Sequence, residues 1–138
     1  MLYFFRAAAD LEKAVAINPN HKNAHAHALL FVSRARTGSN HKGLKEYYQK
    51  NKTGNWPDPV FSFMLSQLSP SQLVQTAAKG EPKSKKYRDC EAYFYIGQYF
   101  LVTGNKEQAR LAFNKCVETN AAGLLEYKTA KAELKNLK

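Results

Sequence analysis

The chain has 138 residues, of which 44% are hydrophobic and 12% aromatic, enough for one domain with a continuous core and too many for a disordered chain. It carries 21 Lys and Arg against 11 Asp and Glu, and the formal net charge of +10 suits an acidic partner: a nucleic acid, an anionic membrane surface or an acidic protein. Because no apolar run approaches the roughly 20 residues of a membrane-spanning helix, the sequence predicts no transmembrane segment.

The N-terminal half of the chain reads as a succession of helices and turns. A first helix is predicted over residues 2–17, and Asn18-Pro19-Asn20 ends it. The opening residues do not resemble a signal peptide, since they lack a basic leader and Arg6 breaks their apolar run. Further helices are predicted over about 21–36 and 40–50, separated by a turn that contains Gly38.

The middle of the chain contains two helix starts. Asp58 is predicted to cap a helix over 60–68, with Pro59 in its first turn. Ser69 is predicted to cap the next helix, over 70–79, with Gln72 reaching back to it and Gly80 ending it. Residues 81–86 form a polar, basic connection.

The clearest pattern lies between residues 90 and 120. Apolar residues recur at helical spacing, and Gly97 leaves room for a second helix to approach. Gly104-Asn105 then forms a turn, and Ala109 and Phe113 follow on the second helix, one helical turn apart. The residues that define this pattern are Tyr93, Ile96, Gly97, Phe100, Ala109 and Phe113. It resembles the tetratricopeptide repeat (TPR), a helix–turn–helix unit of about 34 residues. Cys116 stands where that repeat usually has Ala, and Ala121 where it usually has Pro.

The repeat period extends to both ends of the chain. Ala109 lies 102 residues after Ala7, three times the ~34-residue period, and Tyr127 lies 34 residues after Tyr93. We therefore expect an all-α, TPR-like right-handed solenoid of about seven to eight helices in a single domain. Its parts are a half repeat (1–20), a diverged repeat (21–51), a helical pair (56–80), a full repeat (90–120) and a C-terminal capping helix (122–138). The capping helix should expose Lys128, Lys131, Lys135 and Lys138.

Several stretches also resemble bacterial TPR proteins related to the lipoprotein NlpI, and they occur along the chain in the order given below. The resemblance is strongest over 56–137. They are Trp56-Pro57, Met64-Leu65-x2-Leu68-Ser69, 90–97 and Glu126-Tyr127-x2-Ala130-x2-Glu133-Leu134. The resemblance implies a helical, often dimeric adaptor of the bacterial envelope or periplasm; without it, we expect a cytoplasmic protein. The chain lacks that family's N-terminal lipobox cysteine and early repeats, so anchoring and partner identity do not carry over.

The first helix of each repeat lines the inner groove of a TPR stack, which predicts a site for a protein or peptide partner. The set comprises Asn23, His27, Leu30, Glu91, Phe94, Tyr95 and Gln98. Mixed aromatic and amide groups suit an extended or helical peptide. The alternative is that Phe94 and Tyr95 only pack between repeats.

Other functions receive less support. His21 and His25 share a helix face, but no carboxylate or cysteine nearby would complete a metal shell, so no metal site or other cofactor is predicted. No motif of a hydrolase, phosphate loop or zinc protease occurs, so we predict a protein that is not an enzyme and has no catalytic residues. The alternative function is binding of nucleic acid or an anionic surface through basic stretches at 41–52 and 83–88, the second of which includes Tyr87.

Two further expectations concern cysteines and self-association. Cys90 and Cys116 are expected to remain thiols, with a bridge between two antiparallel helices as the alternative. The predicted helix at 2–17 lacks a first-helix partner and begins with apolar residues that include Phe4 and Phe5. A homodimer through this helix is therefore expected, and a terminus that folds back on its own chain is the alternative.

Overall fold

The structure is a computed structural model that describes residue 10 and residues 24–38 and 43–138. Within these residues the chain forms seven α-helices and one short 3₁₀ turn, without a strand, so the all-α prediction is confirmed for the described part. The helices are α1 (Ala24–Arg36), α2 (Leu44–Asn51), α3 (Asp58–Met64), α4 (Pro70–Ala78), α5 (Lys85–Val102), α6 (Lys106–Glu118) and α7 (Leu125–Asn136). None of these helices combines the length and the apolar character needed to cross a bilayer.

The chain divides into two compact units, Met1–Leu65 and Ser66–Lys138. In the described part of the first unit, a cluster of aromatic rings joins α1, α2 and α3. His27 stacks on Tyr47 with ring centroids 4.0 Å apart. Phe61 lies 5.5 Å from Tyr47 and 5.9 Å from Tyr48, and its ring meets Phe31 edge-on at 6.4 Å. Such ring pairs add to the free energy gained by burial, and they hold the three helices together.

Two helix boundaries in the first unit differ from the predicted ones. Helix α2 begins at Leu44 rather than Asn40, because Gly43 takes a left-handed conformation (φ 82°) immediately before it. Helix α3 ends at Met64 rather than Leu68, and the chain turns through Ser66, whose φ is 63°. Within the described residues, α2 and α3 are therefore shorter than predicted.

Helix α4 opens the second unit with the predicted cap. The backbone N–H of Gln72 donates to Ser69 Oγ at 3.1 Å, and the backbone N–H of Ser69 donates to Gln72 Oε1 at 2.8 Å. This reciprocal pair satisfies backbone donors that the first turn of a helix leaves without partners. The helix ends just before Gly80, as predicted.

Helices α5 and α6 form an antiparallel hairpin, and α7 packs against both. The Gly104-Asn105 turn lies where it was predicted, and Asn105 Oδ1 accepts the backbone N–H of Gln108 at the start of α6. Among the six residues that define the repeat pattern, Ile96, Gly97, Ala109 and Phe113 are buried, while Tyr93 and Phe100 are half-buried. These packing positions fit the sequence pattern, whereas the division of the chain into repeats stays a prediction.

Helix α7 has the predicted polar face. Lys128, Lys131 and Lys135 of the helix are exposed, as is Lys138 beyond its end. On the other side of the helix, Thr129 and Ala130 are buried. Arg110 of α6 donates to the backbone carbonyl of Leu137 at 2.6 Å, which satisfies an acceptor at the C-terminal end of α7.

Several predictions fall on residues outside the described ones. They are the helix over 2–17 with the dimer proposed for it, the half repeat 1–20, and the side chains His21, Asn23 and His41.

Candidate protein-binding site

The predicted groove residues are buried. His27 and Leu30 lie on α1, and Glu91, Phe94, Tyr95 and Gln98 lie on α5; these six are at most 5% exposed. Asn23 is outside the described residues. Their burial accords with the packing alternative for Phe94 and Tyr95, and a role of the set in partner binding stays a prediction.

The contacts of Phe94 and Tyr95 explain this burial in part. Their rings meet edge-on with centroids 5.0 Å apart, and Phe94 lies 6.3 Å from Phe113 of α6. Burial raises the pKa of Tyr95 well above its usual value, and the charges of Glu126 and Glu91 act in the same direction. Both rings are therefore part of the core of the second unit.

An accessible pocket lies instead in the first unit. It has a volume of about 490 Å³, within the range of pockets that bind small ligands or peptide side chains. The start of α1, the end of α2 and the loop that leads into α3 line it. The lining residues are Ala24, His25, Tyr47, Lys50, Asn51, Thr53, Trp56, Pro57 and Asp58. We refer to this site as the Trp56 pocket.

The loop beside the pocket is held by Asp58. One oxygen of its carboxylate accepts the backbone N–H groups of Thr53 at 2.7 Å and Gly54 at 2.6 Å. The backbone N–H of Asp58 in turn donates to the carbonyl of Asn55 at 2.8 Å. The prediction that Asp58 caps the helix with its side chain is therefore wrong: Asp58 is the first residue of α3, and its side chain fastens the preceding loop. This fastening fixes the backbone that carries Trp56.

The opposite wall of the pocket is α2. Asn51 Nδ2 donates to the carbonyl of Tyr47 at 2.9 Å, which holds the amide side chain against the helix end. Burial raises the pKa of Tyr47, and the charge of Asp58 adds to the effect, so the phenol stays protonated at neutral pH. Lys50 is exposed beside it and forms no ion pair within the described residues. The wall therefore offers an aromatic face, an amide and a cation.

The basic stretch at 83–88 offers less free positive charge than its sequence indicates. Arg88 is buried and donates to the carbonyl of Ala77 at 2.8 Å, the carbonyl of Glu81 at 2.9 Å and Ser84 Oγ at 2.6 Å. Lys85 pairs with Asp89 one helical turn later. Two of the four cations in this stretch therefore have partners within the chain. Both lie in α5, which begins at Lys85, inside the connection predicted over 81–86.

Metal ligation receives no further support. His25 lines the Trp56 pocket, while His21 lies outside the described residues. In the described part of the chain, no three His, Cys, Asp or Glu side chains come together as a metal site would require.

One feature of the sequence, the Trp56-Pro57 pair, lies at the pocket, although in the sequence it supports only the resemblance to the NlpI family. Trp56 is the single tryptophan of the chain, and it is half-buried at the end of a loop whose residues 52–55 are exposed. Tyr47, by contrast, occupied an ordinary apolar position of a helix, and only the fold places it beside the loop.

No protein-family model matches the chain, and no solved structure matches it. The likeness to TPR proteins and to the NlpI family accordingly stays a prediction from the sequence.

Proposed function

We propose that the protein is a non-catalytic scaffold that binds a peptide segment of a partner protein, and that it does so in the Trp56 pocket. The observation that carries this proposal is the wall composition of the pocket, which joins Trp56 and Tyr47 to the amide of Asn51 and the ammonium of Lys50. Trp and Tyr are enriched among the few residues that contribute most of the binding free energy at protein interfaces, while a few polar groups orient the ligand.

The acidic groups of the pocket argue for binding rather than catalysis. A general base must accept a proton from its substrate, but an oxygen of Asp58 already accepts two backbone N–H groups. The raised pKa of Tyr47 keeps its hydroxyl protonated. The bonded oxygen of Asp58 and the protonated phenol of Tyr47 therefore act as hydrogen-bonding groups in the proposed binding site.

Charge favours an acidic segment as the ligand. Lys50 lies at the pocket, the one carboxylate of the described lining, that of Asp58, is bonded to the loop backbone, and the whole chain has a formal net charge of +10. An acidic peptide would be attracted to this surface, and an aromatic or aliphatic residue within it would stack on Trp56.

The second unit supports the scaffold part of the proposal. Its hairpin brings Gly97 of α5 against Phe113 of α6, as the TPR pattern requires, and α7 packs on both helices as the first helix of a following repeat would. A TPR-like solenoid is the architecture we propose on this basis.

Selection of a displayed random peptide library on the full chain tests the binding proposal. We expect enriched peptides that combine Asp or Glu with an apolar residue. Their affinity should fall by about 30-fold or more in Trp56→Ala, since interface hot spots cost about 2 kcal/mol or more when truncated. Lys50→Glu should also weaken binding, whereas Lys135→Glu, the same charge change on α7, should not.

Two outcomes would overturn the proposal. One is a library that yields no peptide above background, and the other is a set of peptides that binds Trp56→Ala as well as the parent. A parallel titration with a labelled oligonucleotide tests the alternative function, for which Lys83, Lys86 and Tyr87 remain exposed. If the oligonucleotide binds tightly, if its affinity falls steeply with salt, and if Trp56→Ala leaves that affinity unchanged, nucleic-acid binding becomes the proposed function in place of peptide binding.

A further inference from the structure

The two cysteines of the chain meet inside the α5–α6 hairpin. Cys90 lies in the first half of α5 and Cys116 near the end of α6, and their Sγ atoms are 3.4 Å apart. Neither residue is exposed at all. A disulfide bond is about 2.05 Å long, so a shift of about 1.4 Å would bring the sulfurs to bonding distance.

The surroundings make the two sulfurs chemically unequal. The hydrogen bond shared with Cys116 lowers the pKa of Cys90, against the opposing effect of burial. The same hydrogen bond, together with burial, raises the pKa of Cys116. Cys116 Sγ also lies 3.9 Å from the backbone carbonyl of Glu126, which is a second, weaker acceptor for the same proton. Cys90 is therefore the sulfur that ionises first, and the thiolate is the reactive form of cysteine.

We propose that Cys90 and Cys116 are a redox site that forms a reversible disulfide between α5 and α6, with a small peroxide as the oxidant. Both residues are thiols in the structure, as the sequence predicts, and the proposal concerns their oxidation. A peroxide is small enough to reach a buried pair through local opening of the hairpin. The proposal is independent of peptide binding, because it concerns the second unit alone.

The reaction balances with one peroxide. The Cys90 thiolate attacks one oxygen of hydrogen peroxide, the O–O bond breaks, and the departing hydroxide takes up the proton that Cys90 lost; Cys90 becomes a sulfenic acid. The Cys116 sulfur then attacks the Cys90 sulfur, the S–O bond breaks, and this second hydroxide takes up the proton of Cys116. Two electrons pass from the thiols to the peroxide, and the products are one disulfide and two waters.

The disulfide would cross-link the two helices of the hairpin. It would join residues 26 positions apart and enclose the turn between α5 and α6 in a covalent loop. Closing such a loop restricts the unfolded chain, so the oxidised protein should melt at a higher temperature than the reduced protein. The redox state would thereby set the stability of the repeat-like hairpin, and reduction by a dithiol would restore the original melting temperature.

Oxidation of the full chain tests this proposal. After treatment with hydrogen peroxide, free thiols are counted in denaturant and the peptides are mapped by mass spectrometry. We expect both thiols to disappear, the intact mass of the monomer to fall by two hydrogens, a linked Cys90–Cys116 peptide, and a raised melting temperature that dithiothreitol reverses. In Cys90→Ser and Cys116→Ser, peroxide should not raise the melting temperature.

Mass mapping of the parent protein decides the matter even if a serine variant folds poorly. The proposal fails if both thiols survive peroxide in the native protein and also during refolding from denaturant. It also fails if Cys90 is converted to sulfinic acid without a bridge, or if the cysteines link only different chains.

Discussion

The ring of Phe113 occupies the space into which a side chain at Gly97 would project. A Cβ placed on Gly97 would lie 2.5 Å from Cε1 of that ring and 2.7 Å from Cδ1. Phe113 is itself fully buried and also contacts Phe94, so it has little freedom to withdraw. The close approach of a second helix at Gly97, expected from the repeat spacing, is confirmed by this contact.

Gly97→Ala should therefore destabilise the protein, although alanine is the better helix former. Overpacking costs about 1–3 kcal/mol, and improved helix propensity returns less than ~1 kcal/mol. We expect a net loss in the free energy of unfolding, measured by urea denaturation. Gly123→Ala is the matched control, because a Cβ there would meet nothing within 4 Å and its φ is not left-handed. The loss should shrink when the same substitution is made in a Phe113→Leu background; equal losses in both backgrounds would show that the ring is not the obstacle.

Ser69→Ala should cost about 1 kcal/mol in the free energy of unfolding, because it removes the side-chain acceptor at the start of α4. Ser69→Asn should keep most of that stability, since Asn also caps helices well. Ser71→Ala, at an exposed position inside the same helix, should be neutral or slightly stabilising. Equal urea midpoints for the two alanine variants would contradict a stabilising role of the cap.

These two features could be read from the sequence because each depends on a few neighbouring residues or on one fixed repeat spacing. The capping pair spans three positions, and the Gly97–Phe113 contact follows from two helices joined by a short turn. The prediction for Asp58 is wrong because a carboxylate before an apolar run resembles a cap, whereas its actual partners, Thr53 and Gly54, precede it in the loop. Local patterns predict where a helix starts, but they do not predict whether a short polar side chain there accepts hydrogen bonds from the helix or from the preceding loop.

The Trp56 pocket and the role of Arg88 depend on chain segments that come together only in the fold. Arg88 belongs to a run of cations that resembles a solvated surface, yet it reaches back to Ala77 across 11 residues. Tyr47 and Trp56 face one pocket because α2 and the following loop meet there. No spacing rule links these residues, so composition alone suggested phosphate binding where the structure has an internal hydrogen-bond network.

Arg88→Met should cost about 2–3 kcal/mol in the free energy of unfolding, since it leaves the carbonyls of Ala77 and Glu81 without their charged donor. Arg88→Lys should restore little of this, because a single ammonium cannot reach the three acceptors that the guanidinium spans. Lys86→Met is the control with the same loss of charge at an exposed position, and it should change stability by less than ~0.5 kcal/mol. If the urea denaturation curves of Arg88→Met and Lys86→Met coincide, the hydrogen bonds of Arg88 do not stabilise the fold, and Arg88 belongs to the solvated surface.

The buried phenol of Tyr95 should make the protein sensitive to alkaline pH. Its pKa in the folded protein is raised by burial first, and then by the charges of Glu126 and Glu91. In the unfolded chain, the phenol ionises near its ordinary value of about 10. Above that pH the folded state therefore holds a proton that the unfolded state has lost, so the free energy of unfolding falls as pH rises. The stabilisation is fully present below about pH 10 and is lost progressively toward the raised pKa of the folded state, at about 1.4 kcal/mol for each pH unit.

Tyr95→Phe removes this proton from both states, and the variant should therefore lose less stability than the parent between about pH 9 and pH 11. Urea denaturation at a series of pH values measures the difference, and the lysines that titrate in the same range cancel because both proteins contain them. Tyr99→Phe serves as the control, since Tyr99 is 43% exposed and its replacement should leave the pH dependence of the parent unchanged. If the curves of Tyr95→Phe and Tyr99→Phe run parallel over this range, Tyr95 does not keep its proton in the folded protein, and the buried position assigned to its hydroxyl group is wrong.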